Sequence, residues 1–433
     1  MRRLGCMLAL ICLPAFAQTG ADTSLPPREL VLGAIESAPE VRAAEAGVAR
    51  AEAEERMRRA GPHEAQFTVI PQRRRVDQEG RYHEWEVDLS RGVRWPGKAR
   101  LDREIGATGR EAAQLMLEDA HHAAARRLLA LWTDWQRAAA ATALRQQQAQ
   151  LWQQELASVD RRVALGDAAQ RDRLAVDAAL AQAQVAVLQA QAEETRARLA
   201  LQAQFPGLPL PAQVRLPPQP NPLPGQDAHW QALIVARSHE IGAADARARQ
   251  KDAEARRAQA DRTPDPVLGL RMLDERGGRE HTLGVTMTIP FGIAYRGAAA
   301  AAAGADAMAA AADLAITRRD IEEGAHQVVA AARAAFAVWQ RQREARDAAE
   351  TSAAKTERAY ALGELGLVDV LAARRLAEDS ALAEQRALLD AIEAVTRVQV
   401  DAHEVWHAHA PGDTDEDAPV RPGQPALPTV GGG

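Results

Sequence analysis

Two periodicities divide the chain. Phe67 and Val69 alternate with Gln66 and Thr68, and Trp85, Val87 and Leu89 alternate with Glu84, Glu86, Asp88 and Ser90. Leu268, Leu270 and Met272 continue the style. Leu283, Val285, Met287 and Ile289 then alternate with Thr282, Gly284, Thr286 and Thr288. A period of two gives a strand one apolar and one polar face. Gly-bearing turns at Asp77 to Arg81 and Glu275 to Arg279 join these strands into two hairpins, at about 65–95 and 266–291. Helix formers fill the rest. They predict a short helix from about Pro39 to Ala60, a long one from about Lys98 to Arg161 and a return helix from about Ala168 to Gln204. A second set follows at about Ala236 to Ala260, Arg296 to Leu362 and Leu367 to His409. The first long helix holds no internal proline and would reach roughly 95 Å. No compact domain needs such a helix, which leaves a coiled coil or the wall of a tube. A short helix and a return helix stacked end to end would match one long helix.

The chain repeats this order. Ala38 to Ala46 matches Ser238 to Ala246, and Trp132 to Arg137 matches Phe336 to Arg341. Arg161, Leu165, Gly166, Asp172 and Leu174 match Arg358, Leu362, Gly363, Asp369 and Leu371. The offset shifts by whole helical turns between matches, which keeps the same face inward. The first repeat spans 18–205 and the second 227–409. The Pro-rich stretch 206–226 reads as a linker, and 410–433 as a disordered tail. Residues 1–17 read as a secretory signal: Arg2 and Arg3, an apolar run from Leu4 to Phe16, and Ala15-Phe16-Ala17 as the cleavage site. Both cysteines, Cys6 and Cys12, lie within it, and Ile11 before Cys12 argues against lipidation.

Composition sharpens the helical reading. Hydrophobic residues make up 47% of the chain but aromatics only 4%. Alanine supplies the difference, and small side chains suit long helices packed closely side by side. The net charge of −6 comes from 53 basic and 59 acidic residues, interspersed, so there is no basic footprint for nucleic acid. After the signal no run of 18 apolar residues is long enough to span a bilayer as a helix. The nearest, Ala298 to Ile316, contains Asp306 and Asp313. A membrane reading must therefore rest on the strands, which have bilayer-spanning length. Four strands cannot close a barrel, and an open sheet edge cannot face lipid. Lipid contact would force oligomerisation, and a homotrimer would give twelve strands, enough for a lumen. The bland alternative is an amphipathic sheet lying on the helices.

These features together resemble the TolC-like outer-membrane efflux family over about Leu25 to His409. The most specific piece is Tyr360-Ala361-Leu362-Gly363 followed by Val368-Asp369-Val370-Leu371, similar to the family's periplasmic tip. Leu165-Gly166 with Asp172 and Leu174 is a weaker copy. The hairpin exits, Trp95-Pro96-Gly97-Lys98 and Pro290-Phe291-Gly292, are similar to those of the cobalt–zinc–cadmium (CzcC-like) branch. The resemblance implies a trimeric channel-tunnel, mainly α with a membrane β-barrel: twelve strands in outer-membrane lipid and a helical barrel in the periplasm. It also implies docking on a periplasmic adaptor and an inner-membrane pump of the resistance–nodulation–division type. Such a duct is no enzyme and needs no cofactor. Ala372 stands where the family's second gating Asp would be, so a ring at Asp369 would carry one carboxylate per chain.

The tip supplies most candidate site residues. Asp369 and Asp172 are candidates for the constriction, with helix N-capping as the structural alternative for Asp369. Arg161, Gly166, Leu174, Arg358, Tyr360, Gly363 and Leu371 are candidates for adaptor docking. His403 and His407, at i and i+4, have a metal-binding spacing, while His121-His122 point apart on a helix. Trp132, Trp135, Phe336 and Trp339 read as one packing layer shared by the repeats. A soluble periplasmic coiled-coil or adaptor protein, and an outer-membrane factor for drug efflux or type I secretion, stay open as alternatives.

Overall fold

The computed structural model describes residues 25–406. The signal segment 1–17, His407 and the tail 410–433 lie outside them. Twelve elements follow in order: α1 (Arg28–Glu36), α2 (Pro39–Ala60), β1 (Ala65–Val76), β2 (Gly80–Gly92), α3 (Pro96–Ala164), α4 (Gln170–Gln204), α5 (Asp227–Ala236), α6 (His239–Ala260), β3 (Val267–Glu275), β4 (Glu280–Thr288), α7 (Ile293–Ala361) and α8 (Leu367–Asp401). The duplication is close to one of length. The two long helices each have 69 residues, the two return helices 35, and α2 and α6 each 22. At 1.5 Å per residue, α3 and α7 each reach about 100 Å.

Each long helix ends in a left-handed glycine. Gly166 has φ 84° and Gly363 φ 79°. Behind them the Asp167 amide donates to the Arg162 carbonyl (2.8 Å), and the Glu364 amide to the Ala359 carbonyl (2.9 Å). These are the six-to-one bonds that satisfy a helix's last carbonyls and turn the chain back. α3 packs against α2, α4, α6 and α8, while α7 packs against α5, α6 and α8. The wall therefore runs α2/α4, α3, α6/α8, α7. The sheet has the matching order β1-β2-β3-β4, antiparallel throughout. Alanines Ala124, Ala246, Ala253, Ala332 and Ala391 are fully buried between helices, where a larger side chain would push the axes apart.

The sequence expectations need four corrections. First, α1 and α5 were not foreseen; Ser238 interrupts the expected second short helix, and its hydroxyl accepts the Ile241 amide (3.2 Å) as the cap of α6. Second, α8 stops at Asp401, not His409. Third, Trp132 and Trp135 do not share a layer with Phe336 and Trp339. The first pair packs with Val31, Leu128 and Phe205, the second with Leu388, Leu389 and Ile392. Counted from the helix starts, Trp132 of α3 is equivalent to Val329 of α7, so the sequence match had slipped by two turns along the same face. Fourth, α7 does contain an 18-residue window of mean hydropathy 1.4, none of it buried, which by length and composition is apolar enough to cross a membrane. Its apolarity is largely alanine, and one Asp near a span centre costs about 2.5–3.5 kcal/mol. No helix or strand lies between α4 and α5. This segment is strapped down: Arg333 donates to the carbonyls of Leu223 and Gly225 and pairs with Asp227, and Leu208 and Leu223 are buried.

Candidate functional site

The sheet sorts its residues by face. Register aligns Phe67, Leu89, Leu270 and Val285 in one row and Val69, Val87, Met272 and Leu283 in the next, all on one side. All but the half-buried Val87 are exposed: Val285 is 79% and Phe67 68% exposed. The sheet does not lie on the helices with its apolar side, contrary to the bland alternative. The opposite face carries Gln66, Ser90, Thr286, Thr68 and Asp88, and Arg271 pairs there with Glu86 at 2.7 Å, with Ile70 and Leu273 as its apolar members. Where the strands meet the helices, Trp95, Phe291 and Tyr295 are exposed, an aromatic set suited to a membrane interface.

Below that rim a charged cluster ties sheet to helices. The Lys98 ammonium, 3% exposed, donates to Asp261 and Asp265 (both 2.9 Å) and to the Thr263 carbonyl (2.7 Å). Asp102 receives Arg94 at 2.7 Å and Arg257 at 2.9 Å. The exit of the first hairpin is thus fixed to the end of α6 and the entry of the second hairpin. The sequence pointed to Lys98 through the exit motif, but not to its partners some 165 residues away.

At the opposite end the two tips form one core of Trp152, Val159, Val176, Leu367, Val370 and Leu371. Leu371 therefore packs inward and offers no docking surface, a correction to its expected role. Arg161, Gly166, Leu174, Arg358 and Gly363 are exposed. Tyr360 joins the tips: Arg162 donates to its hydroxyl (2.9 Å) and lies over its ring (5.2 Å). Arg374 stacks on Trp152 (5.0 Å) and pairs with Glu155 and Glu357. Arg162 and Arg374 were missed because their contacts cross the repeat boundary, which leaves no local signal. Asp172 and Asp369 occupy the same third position of their helices. Asp369 is exposed and accepts the Gly366 amide at 3.1 Å, so it caps α8. Asp172 is half-buried beside Arg171 (3.5 Å).

The histidines meet halfway along the wall, not on a helix face. His403 follows α8 in left-handed backbone (φ 61°), outside the helix, and His407 lies outside the described residues. Its Nε2 lies 2.9 Å from Nδ1 of His122, and its ring stacks on His239. Nε2 of His122 lies 3.3 Å from Asp401, which also receives Arg126 (2.7 Å) and Arg397 (2.8 Å). Among the described residues no group of three or more His, Cys, Asp or Glu side chains converges on a metal-ion position. Burial pushes the Asp401 carboxyl up, but the His122 bond, Arg126 and Arg397 outweigh it and lower it to about 2. Burial and the neighbouring Glu240 raise Asp119 from 3.8 to about 6. The fold therefore holds the Asp119 proton more tightly than the unfolded chain does. The resulting penalty is absent below about 3.8, grows towards 6 and is complete above it. Asp119→Asn is expected to raise the free energy of unfolding at neutral pH by on the order of 1 kcal/mol after screening by the solvent that reaches it. The gain should fade towards about pH 4, which unfolding followed by circular dichroism at several pH values checks.

No family model and no curated protein matches the chain. Solved structures do. A membrane protein from Pseudomonas aeruginosa aligns over 94% of this chain and 98% of its own at 18% identity, with a TM-score of 0.75. The outer membrane protein VceC of Vibrio cholerae aligns over 87% and 95% at 18% identity (TM-score 0.72). The Campylobacter jejuni CmeC outer membrane channel aligns over 88% and 86% at 13% (TM-score 0.71). From hairpin to tip, the chain has the fold of these outer-membrane channel proteins.

Proposed function

We propose that the chain is a TolC-like outer-membrane efflux channel, a passive exit duct assembled from three copies. One observation carries this reading: an apolar sheet face stands uncovered on a four-stranded sheet whose two edges, β1 and β4, are both open. Lipid on that face requires closed edges, and three copies supply a twelve-stranded barrel with an even strand number. The helices support the same closure. α2 buries Val41 and Ala51, and α4 buries Val176, Ala179 and Leu201, so one flank of the wall is largely free. At the other flank α7 buries six of its described side chains over 69 residues. Joining β4 and α7 of one chain to β1 and α2/α4 of the next is a head-to-tail contact that closes by rotation.

The tips then face the periplasm. Leu165, Leu174, Leu362 and Val368 are exposed around Gly166 and Gly363, with Arg161 and Arg358 beside them. This apolar and basic rim is the docking surface for a periplasmic adaptor and, through it, an inner-membrane pump of the resistance–nodulation–division type. The Arg162–Tyr360 contact holds the two tip turns together at rest. Three copies of Asp369 ring the opening and attract cations by focusing the field. The likeness of the hairpin exits Trp95-Pro96-Gly97-Lys98 and Pro290-Phe291-Gly292 to those of the cobalt–zinc–cadmium branch is the support for divalent metal cations as cargo. The test is a mass measurement on the detergent-solubilised protein together with planar-bilayer conductance. Three chains per particle and a conductance whose cation preference falls in Asp369→Ala are expected. A soluble monomer sinks the channel, and unchanged selectivity sinks the acidic ring.

A further inference from the structure

Above the apolar rows, the lipid-side face of the first hairpin changes character. Arg73 stands opposite His83, and Arg75 opposite Arg81, in the register that places Val69 opposite Val87 and Pro71 opposite Trp85. By the period of two these four side chains share the face of Phe67, Val69, Val87 and Leu89. All four are exposed. Among the described residues none of them pairs with a carboxylate.

The strand charges are sorted by face. Glu84, Glu86, Asp88, Glu275 and Glu280 all lie on the other side of the sheet, where they meet the inward arginines: Arg74 reaches Glu275 at 3.5 Å and Glu84 at 3.8 Å, and Arg271 reaches Glu86. On the lipid-side face the one strand carboxylate is Asp274, and His281 occupies it at 3.3 Å. Within the run Arg73-Arg74-Arg75, the inward arginine has acids and the two outward ones have none.

Like charges placed directly opposite across an antiparallel pair are destabilising. A block of three arginines and a histidine needs an anion to offset it. The block is continuous with the apolar belt and sits directly above Trp85, a residue type that marks the level of lipid headgroups. Arginine forks match phosphate oxygens and bind them bidentately.

We propose that Arg73, Arg75 and Arg81, with His83, bind the phosphate groups of outer-leaflet lipid and so anchor the hairpin at its outer rim. This rests on the membrane reading above. The apolar rows set the depth of the sheet, and the basic block fixes its upper limit by pairing with headgroup phosphate. Arg74 takes no part, because it faces the other way.

The test compares the full-length protein with R73Q/R75Q/R81Q. Both are mixed with phosphatidylcholine vesicles for flotation, then titrated in detergent with diphosphoryl lipid A, with dephosphorylated lipid A and with inorganic phosphate, and bound lipid is read by native mass spectrometry. Both proteins should float. The unaltered protein should retain diphosphoryl lipid A roughly tenfold or more tightly than the triple variant, and should show no such preference for the dephosphorylated form. R73K/R75K/R81K should retain part of the affinity, since the charge remains without the fork. Equal retention of diphosphoryl lipid A by the unaltered protein and R73Q/R75Q/R81Q, or equal retention of the dephosphorylated lipid, overturns the proposal while leaving the membrane reading intact. Displacement by inorganic phosphate at matched concentration overturns the lipid as the source. If neither protein floats, the membrane reading fails and this one with it.

Discussion

Val285→Arg is expected to abolish assembly in the membrane while Thr282→Arg, three residues away, is tolerated. Val285 ends the row of Phe67, Leu89 and Leu270, on the uncovered apolar face. Thr282 lies on the opposite face, in the row of Ile70 and Glu86. A cationic side chain on the lipid face of a barrel costs about 2–4 kcal/mol near the bilayer midplane. In a homotrimer each particle carries that cost three times, in strand β4 at the edge where chains must join. The same substitution on the water face costs little. Membrane fractionation and oligomer mass of the two variants provide the measurement. Equal behaviour of the pair would mean that the sheet does not separate lipid from water.

Asp401→Asn should lower stability by about 3–5 kcal/mol, the usual cost of removing one partner from a buried ion cluster. Its carboxylate, 4% exposed, takes bonds from Arg126 and Arg397 and faces His122. Without it two guanidiniums lose their shared acceptor between α3 and the end of α8. Asp401 is held below its usual range, at about 2, so the stability it adds is present above about 3.8 and is lost as the pH falls through 2. The difference between the two proteins should be complete at neutral pH and shrink in strong acid. Unfolding followed by far-ultraviolet circular dichroism checks both the size and the pH window. A loss of the same size at pH values below 2 would point to lost packing, not lost charge.

Much of this architecture is legible in local pattern. The alternation in Leu283 to Ile289 named the strand and its apolar side, and pairing with β3 only made that face continuous. Gly166 and Gly363 marked the tip turns because a helix ending in left-handed backbone favours glycine. The tip's inner bonds were not legible: Arg162 to Tyr360 and Arg374 to Glu155 join residues about two hundred positions apart. The histidines misled for a related reason. Helical periodicity carried His403 and His407 onto one face, yet α8 ends before them and tertiary contacts with His122 and His239 place His403 instead.

Sequence alone determined the types of the main helices and strands, the internal repeat and the two-sidedness of the sheet, because each depends on spacing within one element. Tertiary structure decided which levels of the two repeats meet. A slip of seven residues keeps a helix face unchanged, so the tryptophan match between repeats held for the face and failed for the height. It also decided which charges find partners. Arg73, Arg74 and Arg75 are alike in sequence, and only strand register separates the inward one, met by Glu84 and Glu275, from its outward neighbours. Periodicity within an element encodes orientation, whereas partnership requires the packing of elements distant in the chain.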